Sequence, residues 1–578
     1  MSLLDWIVLG STLAFIVGYG TWKTRGSKNM ESYLRGGNNS SWWTICLSIM
    51  ATQASAITFL STPGQAFEDG MGFVQFYFGL PIAMVIISIT AVPIFYHLKV
   101  YTAYEYLENR FDLKTRSLAA FLFLVQRGLA AGITIYAPAI ILSTILGWNL
   151  NLLVIIIGAL VTIYTVAGGT KAVNVTQKQQ MAVMMGGMLV AGIIVIRLLP
   201  DNISFGEAVQ VAGKMGKMEV VDFDLSFTKR YTFWSGITGG LFLMLSYFGT
   251  DQSQVARYLT GRSIAESRTG LLFNGLLKIP MQFFILFIGI LVFIFYQFNK
   301  PPVFFNEVEV HKLKQSAYAT QYQALEQKHT HVFNNKQQEI DNLVFALREG
   351  NETHIAQSKK ILQQHDAEIK NIRKEFKRLV AESAPGRNIK DPEKEVKDTD
   401  YVFISFVMKH LPKGIVGLLI AVILCAAMSS TASELNALAS TTVVDIYKRS
   451  LQTAGTERHY VRASRAFTFG WGALAIFFAT VASMLDNLIQ AVNLLGSLFY
   501  GAILGIFLVA FYIRFIGANA VFFAALLAES IVLALYFMGK AGWFGFEISF
   551  LWFNVIGCML VVLFGYLLQF AMASNSSK

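Results

Sequence analysis

Two stretches of the sequence place oxygen-bearing side chains inside otherwise apolar segments. Residues 424–448 contain a run of serines and threonines that includes Ser429 and Ser430, and residues 48–65 contain Ser, Thr and Gln before a Pro-Gly pair. Hydroxyl oxygens, and carbonyl oxygens freed where a helix unwinds, are hard ligands that suit a small cation such as sodium. Close packing of helices explains the alanines of the first stretch but leaves its many hydroxyls unexplained. The two stretches therefore predict a cation site between two intramembrane helices.

These stretches belong to a chain that is too apolar for a soluble protein. Of its 578 residues, 54% are hydrophobic and 14% are charged, and the mean hydropathy is +0.51. Apolar segments recur along the chain, each close to the ~20 residues with which a helix crosses a bilayer. They cover residues 6–19, 42–60, 73–96, 118–146, 152–166, 181–199, 233–248, 271–296, 415–428, 466–484, 488–511, 518–537 and 550–570. We therefore predict an all-α polytopic membrane protein with about 13 transmembrane helices in a lipid bilayer.

The positive charge of the chain follows a pattern that is typical of membrane topology. The net charge is +11. Basic residues gather in alternate connections between the spans, such as Lys171 with Lys178 and Arg262 with Arg268, while the short turns on the other side hold almost none. Cytoplasmic connections carry the excess of Lys and Arg, so the amino terminus is predicted outside and the carboxyl terminus in the cytoplasm. This dispersion argues against a nucleic-acid partner, and we predict a bacterial inner-membrane protein.

A polar insertion divides the apolar chain. We predict transmembrane helices 1–8 in residues 1–301, an inserted segment in 302–400 and transmembrane helices 9–13 in 401–578, because Gln, Lys, Glu and His dominate the middle part. Its two ends meet spans on the outer side, so we expect an extramembrane antiparallel helical hairpin or coiled coil. The expected a and d positions are Ile355, Ser358, Leu362, His365, Ile369, Ile372, Phe376 and Leu379. Histidines scattered on a solvated helix do not indicate a metal site, and an unknown partner for the hairpin stays open.

Four motifs together resemble the sodium:solute symporter family. Besides the two stretches already described, residues 164–176 are similar to the family's Gly-Gly-x-Lys-Ala-Val stretch, and residues 249–252, Gly-Thr-Asp-Gln, are similar to its signature of the same letters. The resemblance covers the predicted spans and excludes only the insertion. It implies the LeuT-type fold, a 5+5 inverted repeat of helices that rocks to give alternating access.

The resemblance also implies a sodium site. It assigns as ligands the carbonyl oxygens of Ala51, Ala54 and Ala426 and the hydroxyl oxygens of Ser429 and Ser430. The set contains no carboxylate, so helix ends and backbone dipoles would balance the charge of the ion. Sodium is therefore the expected coupling ion.

One departure from the family pattern bears on the number of sodium ions. Relatives with a second sodium use an Asp directly after the position of Thr176 and two hydroxyl residues after the paired serines. Here these positions hold Gln177, Ala432 and Ser433. Losing a carboxylate removes the strongest cation ligand, so the sequence predicts one sodium per transport cycle.

The substrate pocket implied by the resemblance lies beside this ion. Its expected lining is Gln53, Thr58, Met244, Tyr247, Phe248, Gln490 and Asn493. Tyr247 is the candidate inner gate, because its ring can cover the pocket while its hydroxyl stays polar. Met244 stands where sugar-transporting relatives have a polar contact, which weakens a sugar as substrate. Arg127, near mid-depth in its span, is a candidate anion contact, with snorkelling towards the inner surface or pairing with a buried carbonyl as the structural alternative.

The function favoured by these observations is sodium-coupled symport of a small organic solute. The motifs lie nearest the monocarboxylate, vitamin and iodide branch, which favours an organic anion such as a monocarboxylate. A sodium/sugar or sialic acid symporter is the alternative within the class, and a transporter-like sensor that uses the hairpin to bind a partner is the alternative outside it. An enzyme is disfavoured, because no phosphate-binding Gly-rich loop, nucleophile elbow or metal-ligand cluster is visible in the sequence.

Overall fold

The first half of the chain is built from helices. The computed structural model describes residues 1–24, 30–383, 392, 396, 398–481, 488–543 and 547–576. Before the insertion it contains α1 (Leu3–Thr24), α2 (Met30–Leu34), α3 (Trp42–Gln53), α4 (Ala56–Asp69), α5 (Leu80–Ile89), α6 (Ala91–Leu98), α7 (Glu105–Arg110), α8 (Leu113–Leu146), α9 (Leu150–Arg197), α10 (Phe205–Lys214), α11 (Leu241–Gly249), α12 (Gln252–Tyr258) and α13 (Ile264–Phe298). A 3₁₀-helix over Gly70–Tyr77 precedes α5, and a π-helical turn over Ser235–Gly240 leads into α11.

The second half is helical as well. Its elements are α14 (Glu307–Lys314), α15 (Ala319–Glu349), α16 (Glu352–Glu382), a 3₁₀ turn (Thr399–Tyr401), α17 (Val402–His410), α18 (Ile415–Thr441) with a π-helical extension (Thr442–Leu451), α19 (Glu457–Val481), α20 (Leu488–Tyr512), α21 (Ala518–Lys540) and α22 (Phe550–Ser576). In the described residues the only β pairing is an isolated bridge between Ser40 and Gly261. The predicted all-α polytopic fold is confirmed.

Ten helical segments in the described part of the chain are long and apolar enough to cross a membrane. Two shorter apolar helices, Leu150–Ile163 and Ser235–Gly249, accompany them, so the count of thirteen and the inverted repeat stay predictions. Large apolar side chains are exposed on the outer face of the bundle, among them Ile163 and Phe469, which are 68% and 64% exposed. Such a surface suits contact with lipid tails rather than with water.

The helix that the sequence predicts to unwind is broken. α3 ends at Gln53 and α4 begins at Ala56, and Ala54 between them leaves helical geometry with φ −82° and ψ 76°. Pro63 lies inside α4, and its backbone packs against Gly289 of α13, where an added Cβ would lie 2.2 Å from the Pro63 carbonyl oxygen. Backbone carbonyls near the break are thereby freed from the regular helical ladder.

The two spans predicted over 152–166 and 181–199 lie in two helical parts of α9 that meet at a kink. α9 runs through Gly169, whose φ of 58° and ψ of −167° are not helical. A Cβ at this position would lie 2.7 Å from the ring of Tyr33, so both the left-handed φ and the close approach require glycine here.

The insertion forms a pair of helices. α15 and α16 pack against each other and are joined at Gly350, which adopts the left-handed conformation at φ 66°. The Asn351 side chain caps α16 by accepting a hydrogen bond from the His354 amide. Phe376 lies in a cluster with Phe304 and Tyr322, and most predicted seam positions of α16 are buried: Ile355, Ser358, Leu362, Ile372 and Phe376. The proposed boundaries at 302 and 400 stay predictions.

Two arginines attach the helical pair to the rest of the chain. Arg348, at the end of α15, donates to Glu207 at 2.6 Å and to the Asn202 carbonyl at 2.6 Å. The Arg348 hydrogen bond, together with those from Ser204, lowers the pKa of Glu207 to about 2. Arg373 of α16 contacts Asp398 at 2.6 Å and, at 3.4 Å, Glu68 near the end of α4. The insertion is therefore tied to the second half of the broken helix.

Candidate functional site

The five predicted sodium ligands are buried where the end of α3 meets α18. Ala51, Ala54 and Ala426 have no exposed surface, and Ser429 and Ser430 are 1% exposed. The Ser429 hydroxyl donates to the Ala51 carbonyl at 3.0 Å, which joins two of the predicted ligands directly. This set of neutral carbonyl and hydroxyl oxygens fits a hard monovalent cation.

Ser430 makes a different contact from its neighbour. Its hydroxyl donates to the carbonyl of Thr52, at 3.1 Å, rather than to a predicted ligand. Thr52 is one residue past Ala51 on α3, so its carbonyl faces α18 at the same level. The sequence reasoning did not name this oxygen, because helix-to-helix register is not readable from a motif on one helix.

Gln177 lies next to these residues, on α9. Its Nε2 donates to the hydroxyl oxygens of Thr52 at 2.9 Å, Ser429 at 3.0 Å and Ser433 at 3.0 Å, while its Oε1 accepts from Ser48. The Thr52 and Ser433 hydroxyls donate their own hydrogens to helix carbonyls, at 2.8 and 2.9 Å. Their lone pairs are thus left to accept from the amide, which assigns the nitrogen to this side of Gln177. An amide nitrogen stands among hydroxyls that could otherwise ligate a second cation.

A cavity of about 90 Å³ opens beside the break between α3 and α4. Five predicted pocket residues line it: Gln53, Thr58, Met244, Tyr247 and Asn493. Arg127 lines it as well. Residues 53 and 54 adjoin each other in the chain, so the cavity and the predicted sodium ligands share one short segment of backbone.

Two of the predicted pocket residues lie elsewhere. Phe248 is fully buried and does not line the cavity, because it follows Tyr247 by one residue and a helix turns about 100° per residue. Gln490 lies at the start of α20, where it accepts from Arg230 at 2.6 Å and contacts Gln65 at 3.4 Å. These contacts hold it away from the cavity lining.

Sequence reasoning missed several lining residues, of which Ser55, Tyr77, Gln126 and Tyr500 have polar side chains. Gln126 is 1% exposed and its Oε1 has no hydrogen-bond partner in the described part of the chain. Its signal was available, since a Gln beside an Arg in an apolar span is unusual. Tyr500 gave no such signal, because one tyrosine in an apolar helix is typical of core packing.

Arg127 forms the centre of a buried ionic cluster. Its Nη1 donates to Glu434 at 3.1 Å, and its Nη2 contacts both the Asp251 carboxylate and the Tyr500 hydroxyl. The Tyr500 hydroxyl in turn donates to Asp251 at 2.7 Å. Nε has no partner among the described residues. Two of the Arg127 nitrogens are thus paired with buried carboxylates, which the sequence reasoning did not name, while the side chain still borders the cavity.

Tyr247 closes one side of the cavity. The Arg127 guanidinium lies 5.3 Å from the centre of its ring, and its hydroxyl accepts from Gln254 at 2.7 Å. Gln254 belongs to α12, which begins after Asp251 caps it by accepting from the Ser253 amide. The predicted gate is thus tied to α12, the helix that follows the Gly-Thr-Asp-Gln segment.

The buried oxygen set, the broken helix and the adjoining polar cavity lie together inside one apolar helical bundle. The family model of the sodium:solute symporter family matches residues 33–320 and 379–528. These two ranges make up more than half of the chain, which therefore belongs to this family. The unmatched residues between them lie within α15 and α16.

Several curated relatives are similar to the chain. Sodium-coupled monocarboxylate transporter 1 of Xenopus laevis is 33% identical over 274 residues, which are 47% of this chain and 42% of the relative. The sodium/iodide cotransporter of Homo sapiens is 31% identical over 297 residues, 50% of this chain and 45% of the relative. The sodium-dependent multivitamin transporter of Oryctolagus cuniculus is 25% identical over 509 residues, which are 88% of this chain and 66% of the relative. The first two matches thus span less than half of each relative's length.

A solved structure shares the fold. The substrate-bound, outward-open state of a Na⁺-coupled sialic acid symporter aligns with a TM-score of 0.72 and 23% identity, covering 98% of both chains. At this identity the likeness concerns the fold alone.

Proposed function

We propose that this integral membrane protein is a sodium-coupled symporter that carries a small organic anion, such as a monocarboxylate, by alternating access. The observation that carries the proposal is the shared backbone at 51–54, where the predicted sodium ligands Ala51 and Ala54 flank Gln53 of the cavity. An ion bound there would brace the broken helix against α18 and thereby shape the cavity. Each ligand would then raise the affinity for the other.

The size and polarity of the cavity support a small, polar solute. About 90 Å³ of space is bordered by amide, hydroxyl and guanidinium groups as well as by Met244 and Tyr247. The guanidinium and amide groups of this lining suit a carboxylate, while Met244 takes the place of a polar contact that a sugar would need.

The contacts of Gln177 support one sodium per cycle. Its amide nitrogen lies within 3.0 Å of the hydroxyls of Thr52, Ser429 and Ser433 and has two hydrogens to donate among them. A second cation there would have to displace a buried hydrogen-bonded amide without gaining a carboxylate ligand.

The remaining features of the proposal concern location. We place the protein in a bacterial inner membrane with the amino terminus outside, the carboxyl terminus in the cytoplasm and α15 with α16 outside the membrane, on the distribution of basic residues. We propose transport without a chemical reaction on the solute.

The test is solute uptake by proteoliposomes that contain the purified full chain. Labelled monocarboxylates, sugars, sialic acid, vitamins and iodide are supplied with an inward sodium gradient or with choline in its place. We expect sodium-dependent accumulation of a monocarboxylate. Binding of a solute without accumulation, beside a reconstituted transporter that does accumulate its own solute, would instead favour a sensor.

A further inference from the structure

Glu434 connects the predicted ion site to the cavity. It follows Ser430 by four residues on α18, about 6 Å along the helix and on nearly the same face. It is 6% exposed, and its Oε1 accepts from Arg127 at 3.1 Å. Its Oε2 has no hydrogen-bond partner in the described part of the chain.

The charges of this cluster do not cancel. With all three side chains counted as ionised, Arg127 contributes +1 and Asp251 and Glu434 contribute −1 each, so the formal sum is −1. Asp251 already has Nη2 of the guanidinium and the Tyr500 hydroxyl as partners. Glu434 is thus the surplus carboxylate, and a surplus buried charge is strongly unfavourable without a counterion.

We propose that Glu434 is a positioning residue for sodium, in that its charge raises sodium affinity at the Ser429–Ser430 site and makes anion binding depend on that sodium. This inference rests on the proposed symport function. The predicted ion ligands are neutral oxygens, so the ion's own positive charge brings the sum over ion and cluster to zero. Glu434 acts through space on the ion and does not ligate it.

The same charge sum explains why binding of an anion would require bound sodium. Nε of Arg127 is buried beside the cavity and has no partner among the described residues. Without sodium, an anion approaching it meets a cluster of net charge −1 and is repelled. With sodium bound the cluster and ion are neutral, and Nε can donate to the anion.

The experiment measures binding of ²²Na⁺ to the purified full chain in detergent, in choline buffer and without solute. Glu434→Gln brings the formal sum of the cluster to zero and is expected to weaken sodium binding about tenfold. Arg127→Gln brings it to −2 and is expected to tighten binding. The double variant returns it to −1 and should bind sodium within about twofold of the natural protein. Glu434→Asp, which keeps the charge, should restore most of the affinity.

A matched control is Glu529→Gln on α21. Glu529 is also 6% exposed and both of its carboxylate oxygens lack partners among the described residues, but its helix packs chiefly on α20 and α22. Its substitution should leave sodium affinity unchanged. If Glu434→Gln does not fold, the comparison of Arg127→Gln with the double variant makes the same test, since it removes Glu434 without leaving an unpaired arginine.

Equal sodium affinity in the natural protein, Glu434→Gln, Arg127→Gln and the double variant would overturn the role of Glu434 while leaving sodium symport intact. An affinity order that does not follow the formal charge would also overturn it. Failure of the natural protein to bind ²²Na⁺ would overturn the proposed function itself, and the inference with it.

Discussion

The ion region and the inserted helical pair use opposite arrangements of polar and apolar groups. Around α3, α9 and α18, polar atoms such as those of Gln177 and Ser429 are buried and hydrogen-bonded inside an apolar bundle. In α15 and α16, apolar side chains such as Phe376 and Leu362 are buried beneath a polar exterior. Polar atoms buried in a low-dielectric interior cost free energy unless they are hydrogen-bonded, whereas a buried apolar seam stabilises the fold directly. The comparison therefore separates a buried polar region, where we propose the ion site, from a region built by apolar packing.

The largest effect that sharpens this comparison is expected in the hairpin. Phe376→Ala should lower the local free energy of unfolding of α15 and α16 by about 3–5 kcal/mol, because the side chain is fully buried. Hydrogen exchange of the intact chain measures this opening energy. Phe345→Ala, which removes a side chain 59% exposed on α15, is the matched control with little effect. Sodium binding should be the same in both variants, and a large change in Phe376→Ala alone would break the division between the regions.

In the ion region, Ser430→Ala should weaken sodium binding by about tenfold to a hundredfold, since it removes one ligand of a hydroxyl–carbonyl set. The measurement is ²²Na⁺ binding, accompanied by thermal unfolding in sodium-free buffer, which should change little. Ser440→Ala is the control, because Ser440 is buried on the same helix but bonds only to the Ala437 carbonyl. Unchanged sodium affinity in Ser430→Ala would remove this residue from the site.

A third effect concerns the acid sensitivity of the hairpin. Burial, and then Lys300, Arg373 and Lys336, lower the pKa of His329 to about 4. The folded state thus favours the neutral ring, so its contribution is complete above the unfolded pKa near 6.5 and is lost as the pH falls from there to about 4. At pH 5 the loss should be about 2 kcal/mol.

Hydrogen exchange of α15 and α16 at pH 7.5 and 5, corrected for intrinsic rates, measures this loss. His329→Phe should reduce it, whereas His331→Gln, at an exposed position two residues away, should not. Equal acid sensitivity in all three chains would show that another group controls it.

The smallest expected effect is on the number of sodium ions that one chain binds. Gln177→Asp restores a carboxylate beside Thr52, Ser429 and Ser433 and removes the donor that now satisfies them. We expect a second, weaker sodium site, seen as saturation of ²²Na⁺ binding near two ions per chain instead of one. Gln177→Asn, which shortens the side chain without a charge, is the control and should stay at one. Two ions bound by the natural protein would contradict the reading of Gln177.

Much of this molecule could be predicted from residue types and spacing, and the rest depends on contacts between distant helices. The length of the apolar segments indicated the spans, and the interrupted stretch at 48–65 indicated a break that lies between Gln53 and Ala56. The bonds of Arg127 to Asp251 and Glu434 join positions 124 and 307 residues apart. No local pattern encodes such pairs, because they depend on how α8, α12 and α18 pack.

The direction in which a side chain points from its helix is the second property that the sequence motifs do not convey. Tyr247 and Phe248 were assigned to the same pocket, but consecutive residues point about 100° apart and only the first borders the cavity. Glu434 was overlooked although its signal was present, since a carboxylate one helical turn after a paired serine in an apolar segment is unusual.

The most direct test of the central claim is a cryo-EM structure of the full chain in lipid nanodiscs, determined in sodium and again in choline. We predict one sodium-dependent density, enclosed by the carbonyl oxygens of Ala51, Ala54 and Ala426 and the hydroxyls of Ser429 and Ser430, with the Gln177 amide unmoved. No density at these oxygens in sodium, or a density that instead displaces the Gln177 amide, would contradict a single-sodium site between α3 and α18.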